Sequence, residues 1–343
     1  MAKTRCVNLT VLVQACPCLD AARRGRATSS SKTKLIGRRS PLAELREHAD
    51  LPSGKGFGVP EVAVKIENVT HAYARPDGGL VETLDNVSVD VRKGELLGLI
   101  GPSGCGKSTL LNIVGGLVLP TSGTVKIDGE PIRGPSPKKI AFVFQENTLF
   151  PWNTILENVK VALEFQGVSP SERHNRAMEA IEAVGLSDFS NNYPHQLSGG
   201  MKQRASLARA LSLQTDILLM DEPFAALDEQ TRMYLGEELS ALLATTNKTI
   251  ILVTHSLSEA VFLADRVVVM TARPAVIKAT IDVLEPHPRD PGFMASSRFA
   301  DHRNELYGHL RGEIEKTVGG FVGKAAARDR QRRGVDDNGA VLP

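Results

Sequence analysis

Residues 101–109 hold the densest chemistry in the sequence: Gly101, Pro102, Ser103, Gly104, Cys105, Gly106, Lys107, Ser108 and Thr109. They fit the pattern G-x-x-x-x-G-K-[ST]. Its glycines let the backbone curl until successive N–H groups point inward at phosphate oxygens. Lys107 is spaced to reach the outer phosphates of a nucleoside triphosphate, and the Ser108 hydroxyl to ligate Mg²⁺. Cys105 contributes a backbone N–H there, as a spacer rather than a nucleophile. A second patch, the acidic pair Asp221 and Glu222, closes the apolar run 217–220. Asp221 is placed to hold Mg²⁺ through a water, and Glu222 to polarise an attacking water as general base. Together the two patches predict binding and hydrolysis of a nucleoside triphosphate.

Such groups need a scaffold, and the flanking sequence supplies one. Residues 96–100 form a short continuous apolar run, as expected of a strand buried on both faces, and an apolar helical pattern follows the loop. Runs 217–220, 250–253 and 267–270 read as further buried strands ending on polar residues. Residues 62–66 and 87–91 alternate as half-buried strands do. Between 146 and 212 the pattern is helical, including an amphipathic helix over 171–184. Alternating strands and helices imply a mostly parallel sheet with the 146–212 block inserted as a helical subdomain. Pro286, Pro288 and Pro291 break the pattern after about residue 285, and the tail from Lys324 onward is polar and expected to be loose.

Composition narrows the rest. Of 343 residues, 42% are hydrophobic and 23% charged, as in a folded globular chain. No run approaches the length of a membrane-spanning helix. The net charge of +2 conceals nine Lys/Arg against one acid, Asp20, within residues 1–40. The remainder is mildly acidic, which gives no general electrostatic reason to bind nucleic acid. Cys6, Cys16, Cys18 and Cys105 have no spacing that suggests a disulfide framework or a zinc site. The basic, polar stretch 1–58 reads as a disordered extension, with a downstream translation start or a targeting signal as alternatives.

The segment Leu197, Ser198, Gly199, Gly200, Met201, Lys202, Gln203, Arg204 lies ~90 residues after Lys107 and shortly before the acidic strand. On its own, Ser198 with two glycines before a helical run could be a capped turn. In this order of elements it resembles the signature motif of ATP-binding cassette (ABC) ATPases, over roughly residues 62–285. Gln145 resembles that family's Q-loop glutamine, Asp228 its D-loop aspartate and His255 its switch histidine. Tyr73 falls where the family stacks an aromatic ring on adenine. The resemblance implies an α/β fold: a P-loop NTPase core of ABC ATPase type, with the inserted helical subdomain and an N-terminal antiparallel β part. The cassette would span 59–285, and a partly helical extension 286–343.

The resemblance implies further roles. ATP and Mg²⁺ are the expected cofactors, with Ser108, Gln145 and Asp221 at the metal and Lys107, Glu222 and His255 in catalysis. Ser198, Gly199 and Gly200 would face the γ-phosphate held by a second ATP-binding subunit, most simply another copy. Integral-membrane permease subunits are the implied partners, with a periplasmic solute-binding protein engaged indirectly, no nucleic acid, and a place on the cytoplasmic face of the bacterial inner membrane. Phe150, Pro151 and Trp152 would meet the permease. The stretch from Val143 to Trp152 resembles the nitrate/sulfonate/taurine importer branch. An export cassette, or a soluble ABC ATPase outside transport, is the alternative.

Overall fold

The computed structural model describes residues 61–245 and 248–333. The expected N-terminal extension, with Cys6, Cys16 and Cys18, lies outside them. In chain order the strands are β1 (Val62–Ala74), β2 (Leu80–Arg92), β3 (Leu96–Ile100), β4 (Ser122–Ile127) and β5 (Glu130–Pro131). They continue with β6 (Ile140–Val143), β7 (Ile217–Asp221), β8 (Thr249–Val253), β9 (Arg266–Met270) and β10 (Ile277–Asp282). The helices are α1 (Lys107–Val114), α2 (Ile155–Phe165), α3 (Pro170–Ala183), α4 (Gly199–Leu211), α5 (Glu229–Thr245), α6 (Leu257–Leu263) and α7 (Ser297–Arg333).

Two sheets result. Strands β2, β1, β4 and β5 pair antiparallel in that order, matching the expected N-terminal β part. The second sheet runs β10-β9-β3-β8-β7-β6, with every pair parallel except β10 on β9. Strands β3, β7, β8 and β9 are apolar on both faces because each face has its own core. Leu96, Ile100, Leu218, Met220, Ile250, Leu252, Val267 and Val269 join the core built with the helical lobe. Their chain neighbours Leu97, Leu99, Ile217, Leu219, Ile251, Val253, Val268 and Met270 join a second core under the antiparallel sheet and α1. A side-chain period of two divides each strand between the two.

The helical lobe is α2, α3 and α4, joined by short turns at Ser187–Phe189 and Pro194–Gln196. Thr154 opens α2 with a capping box: its hydroxyl accepts from Glu157 N–H while the Glu157 carboxylate accepts from Thr154 N–H. Pro170 starts α3 at the first position, where its missing N–H costs nothing. Ile155, Val159, Leu163, Ala177, Ile181, Ala205 and Ala208 pack this lobe onto the sheet.

Beyond residue 285 the chain stays attached to the sheet. Buried Arg289 donates to the carbonyls of Val261, Ala264 (2.8 Å) and Val283 (3.3 Å), which include orphan carbonyls at the end of α6. Phe293, Phe299, Leu306 and Leu310 belong to the same core as the helical lobe. The polar stretch from Lys324 lies within α7, which runs to Arg333.

The two sheets are also held by a buried ion pair. Arg266 at the start of β9 reaches Glu95 in the β2–β3 turn through Nε (2.7 Å) and Nη2 (3.0 Å). Glu95 also accepts from Arg92 N–H at 2.6 Å. Removing one partner of such a pair strands the other charge, at a cost of about 3–5 kcal/mol. Arg266→Ala should therefore lose about that much stability in urea unfolding. A loss below ~1 kcal/mol would show that water reaches the Glu95 carboxylate after all.

Candidate functional site

The chemistry gathers at the carboxyl ends of the parallel strands. The loop leaves β3 and enters α1 with Gly104 at φ +72° and Gly106 at φ +130°. Both angles lie where side chains are strained. A Cβ on Gly106 would also lie 2.9–3.1 Å from atoms of Thr83 and Leu84 on β2. Lys107 is buried, and its ammonium donates to the carbonyls of Gly101 (2.9 Å) and Pro102 (3.0 Å), folded over the loop it serves. Cys105 is buried beneath the loop, where burial pushes its thiol up and disfavours the nucleophilic thiolate. Tyr73 on β1 is brought alongside: its hydroxyl lies 3.3 Å from that of Thr109, and its ring packs edge-to-face on His71.

Asp221 is the last residue of β7 and only 6% exposed. Burial pushes its carboxyl up, opposed by the Ser108 hydroxyl that faces it. One carboxylate oxygen, Oδ1, is buried without a hydrogen-bond partner. An orphaned carboxylate oxygen beside a serine hydroxyl fits a hard cation such as Mg²⁺. Mg²⁺ takes one or two protein oxygens and fills its shell with water and phosphate. Ser108 and Asp221 therefore fit the role expected of them, whereas the observed contact of Gln145 is the one its Nε2 makes with Glu222.

Glu222 follows at φ +48°, a conformation costing a non-glycine residue about 1–3 kcal/mol. The backbone is fixed on both sides. Glu222 N–H donates to Val253 C=O at 2.9 Å, and its carbonyl accepts from Ala225 N–H (3.2 Å) and the Gln203 side chain (3.3 Å). So held, the carboxylate meets Gln145 Nε2 and His255 Nδ1, each 3.3 Å from Oε2. Three residues predicted from separate segments thus share one point. His255 sits in the turn after β8, where the Thr254 hydroxyl donates to Glu259 at 2.6 Å and Ser256 caps α6.

The signature segment lies elsewhere on the chain's surface. Ser198 caps α4, its hydroxyl accepting from Met201 N–H at 3.3 Å, and Ser198 and Gly199 are exposed. Gly200 packs on the turn before α5: a Cβ there would come within 3.0 Å of Leu227 and 3.3 Å of the Ala226 carbonyl. Asp228 caps α5, accepting from Thr231 N–H (2.9 Å) and the Thr231 hydroxyl (2.7 Å). Those bonds hold its carboxyl below the usual range. Among the described residues, the hydrogen bonds of Ser198 and Asp228 stay within their own helices and do not reach the phosphate loop.

The supporting roles of several residues had no sequence signal, although Gln203 lies within the signature segment. Gln203, one turn into α4, supports the Glu222 carbonyl. Arg209 on the same helix donates to the Thr148 carbonyl at 2.8 Å, and burial lowers its guanidinium. Fully buried Asn158 accepts from Phe150 N–H (2.7 Å) and donates to the Phe150, Asn153 and Thr154 carbonyls. The turn it shapes presents Trp152 63% exposed, with its ring 5.6 Å from that of Phe150. Arg273 touches the phosphate loop from 169 residues away. No spacing rule links residues so far apart.

The ABC transporter family model matches residues 84–225. An uncharacterized ABC transporter ATP-binding protein of Methanocaldococcus jannaschii is 45% identical over 75% of this chain and 95% of its own length. The taurine import ATP-binding protein TauB of Jannaschia sp. is 42% identical over 74% of this chain and 96% of its own length. The nitrate import ATP-binding protein NrtD of Synechocystis sp. is 41% identical over 74% and 97%. Among solved structures, a dimeric post-hydrolysis state of the ATP-binding cassette MJ0796 bound to ADP and Pi matches with a TM-score of 0.60. It is 35% identical and covers 65% of this chain and 99% of that one.

A carboxyl whose pKa is raised by folding costs stability when ionised, so stability falls as pH rises from the ordinary aspartate range through the folded value. In metal-free buffer Asp221→Asn should melt higher than wild type at pH ~7, and the gap should close as pH falls toward ~4. Adding Mg²⁺ with ATP should raise the wild-type Tm more than that of the variant. Identical melting curves at neutral pH would mean that the Asp221 carboxylate is solvated.

Proposed function

Because this chain belongs to the ABC transporter ATP-binding family and is an Mg²⁺-dependent ATPase, we propose that it energises a membrane importer for a small anionic solute such as taurine, another sulfonate or nitrate. The observation that carries the solute class is the likeness to taurine and nitrate import ATP-binding proteins over almost their full length. The site geometry supports how the energy is released. Loop N–H groups and Lys107 bind the triphosphate, the ammonium exchanging the Gly101 and Pro102 carbonyls for phosphate oxygens. Tyr73, beside the loop, stacks on the base. Ser108, Asp221 and Gln145 would hold Mg²⁺, which would supply charge neutralisation at the phosphates.

Glu222 takes the proton of the attacking water. Gln145 and His255 hold its carboxylate in place, which turns the strained backbone at this position into pre-organisation. The exposed Ser198, Gly199 and the N-terminus of α4 are suited to an anion brought by another molecule. A second copy would supply that anion as the γ-phosphate in its own loop, and its Asp228 turn would pack beside it. ATP binding then favours a closed pair and hydrolysis releases it. The Phe150–Trp152 turn, held by Asn158 and placed just after Gln145, offers an aromatic contact for permease subunits on the cytoplasmic face of the membrane. A periplasmic solute-binding protein would deliver the cargo.

Glu222→Gln should lower ATP turnover at least about a hundredfold while retaining ATP binding, and should elute as an ATP-dependent dimer in sizing chromatography. Lys107→Ala should lose binding. Wild-type turnover by Glu222→Gln would reject the general-base role. For the solute, a deletion strain should fail to grow on taurine or an alkanesulfonate as sole sulfur source, or on nitrate as sole nitrogen source. Rescue should come from wild type and not from Glu222→Gln. Normal growth on all three would remove the solute assignment and leave the ATPase chemistry standing.

A further inference from the structure

The turn after β9 carries Arg273, whose guanidinium covers the outside of the phosphate loop. Nε donates to the Gly104 carbonyl at 3.0 Å, and Nη2 converges on the same oxygen. A trans peptide is planar, so its carbonyl and the following N–H point in opposite directions. Holding the Gly104 oxygen outward therefore turns Cys105 N–H into the loop, where it reaches the Pro102 carbonyl at 3.3 Å. That bond is long, and a phosphate oxygen would replace it readily. Gly104, at φ +72°, has no side chain to resist a flip of this peptide.

Arg273 is itself held. Thr271 N–H donates to the Val276 carbonyl and the Thr271 hydroxyl accepts from Val276 N–H, both at 3.0 Å, which closes the turn. Ala275 exchanges backbone bonds with β2, donating to Thr83 C=O (2.9 Å) and accepting from Asp85 N–H (3.0 Å). The remaining brace comes from the C-terminal helix: buried Glu313 on α7 accepts from Ala272 N–H at 3.1 Å and from Lys278 at 2.9 Å. Its carboxyl is held at about 2, first by the Lys278 hydrogen bond, so it stays ionised at neutral pH.

We propose that Arg273 is a positioning residue that sets ATP affinity by fixing the Gly104 peptide, and that Glu313 ties this setting to the C-terminal helix. The proposal rests on the loop being the nucleotide site. The two readings fail separately: Lys107→Ala tests the site, and the variants below test the brace.

In the full-length chain, fluorescent-ATP binding and steady-state ATPase kinetics would be measured for Arg273→Ala, Arg273→Lys, Glu313→Gln and the Arg273→Ala/Glu313→Gln double variant. Loss of a charge-assisted bond should raise the Kd and KM for ATP roughly tenfold in Arg273→Ala. Arg273→Lys, which keeps a charged donor without the guanidinium fork, should recover part of that, and kcat at saturating ATP should stay within about twofold. Glu313→Gln should shift Kd the same way by roughly threefold, and the double variant should be no weaker than Arg273→Ala alone. An unchanged Kd in Arg273→Ala, a fall in kcat without a rise in KM, or a lysine no better than alanine would overturn the role of Arg273. Additive effects in the double variant would overturn the link to α7. If Lys107→Ala also bound ATP normally, the site reading itself would fall.

Discussion

A sheet covered on both faces leaves its strands no place for a polar side chain except at their ends. That constraint organises this molecule. Strands β3, β7, β8 and β9 are almost wholly buried, and the polar residues of the site lie at or just past their carboxyl ends. The phosphate loop follows β3, Asp221 and Glu222 close β7, His255 follows β8 and Arg273 follows β9. Gln145 lies two residues past β6. Five segments distant in sequence converge because parallel strands direct all their carboxyl ends to one edge of the sheet.

The helical lobe is joined to that edge through helix α4. One side chain of the helix, Gln203, supports the Glu222 carbonyl, and another, Arg209, holds the Thr148 carbonyl in the segment after Gln145. The same helix begins at Ser198. A rotation of the lobe would therefore carry the signature serine, the Gln145 segment and the backbone behind the general base together. Asn158 extends the linkage to the exposed Trp152 turn, with four hydrogen bonds from one buried amide. Removing that side chain would leave buried backbone groups unpaired, which costs more than the bonds themselves contribute.

Much of this was legible in the sequence, for identifiable reasons. The two-sided strands appear as unbroken apolar runs, and the phosphate loop as a motif whose glycines have a backbone reason to be there. Asp221 and Glu222 stand out because charges that close an apolar strand need a function. Residues whose role depends on folding distance were not legible. Arg273 and Glu313 look like ordinary surface charges until the turn after β9 and helix α7 are in place. Asn158 reads as one polar residue in an amphipathic helix, and nothing local shows that it is fully buried. The tail beyond Lys324 reads as loose because its polarity gives no packing face, and its stretch to Arg333 lies within α7. Polarity argues against burial and says little about helix formation.

The division of each strand between two cores also bears on how pairing is encoded. Where only one face is apolar, a strand that slips by one residue exposes its hydrophobic side, and that penalty fixes its alignment. Here a slip would trade the two cores' side chains and expose nothing, so aliphatic patterning carries almost no information about alignment. The polar anchors at the strand starts must carry it: Glu95 on Arg266, Asp265 accepting from Leu96 N–H (2.8 Å) and Thr249 accepting from Gly94 N–H (3.1 Å). Each ties a residue of one strand's entry to a fixed partner on another. A handful of hydrogen-bonding residues at one rim thus keep the frame of these strands.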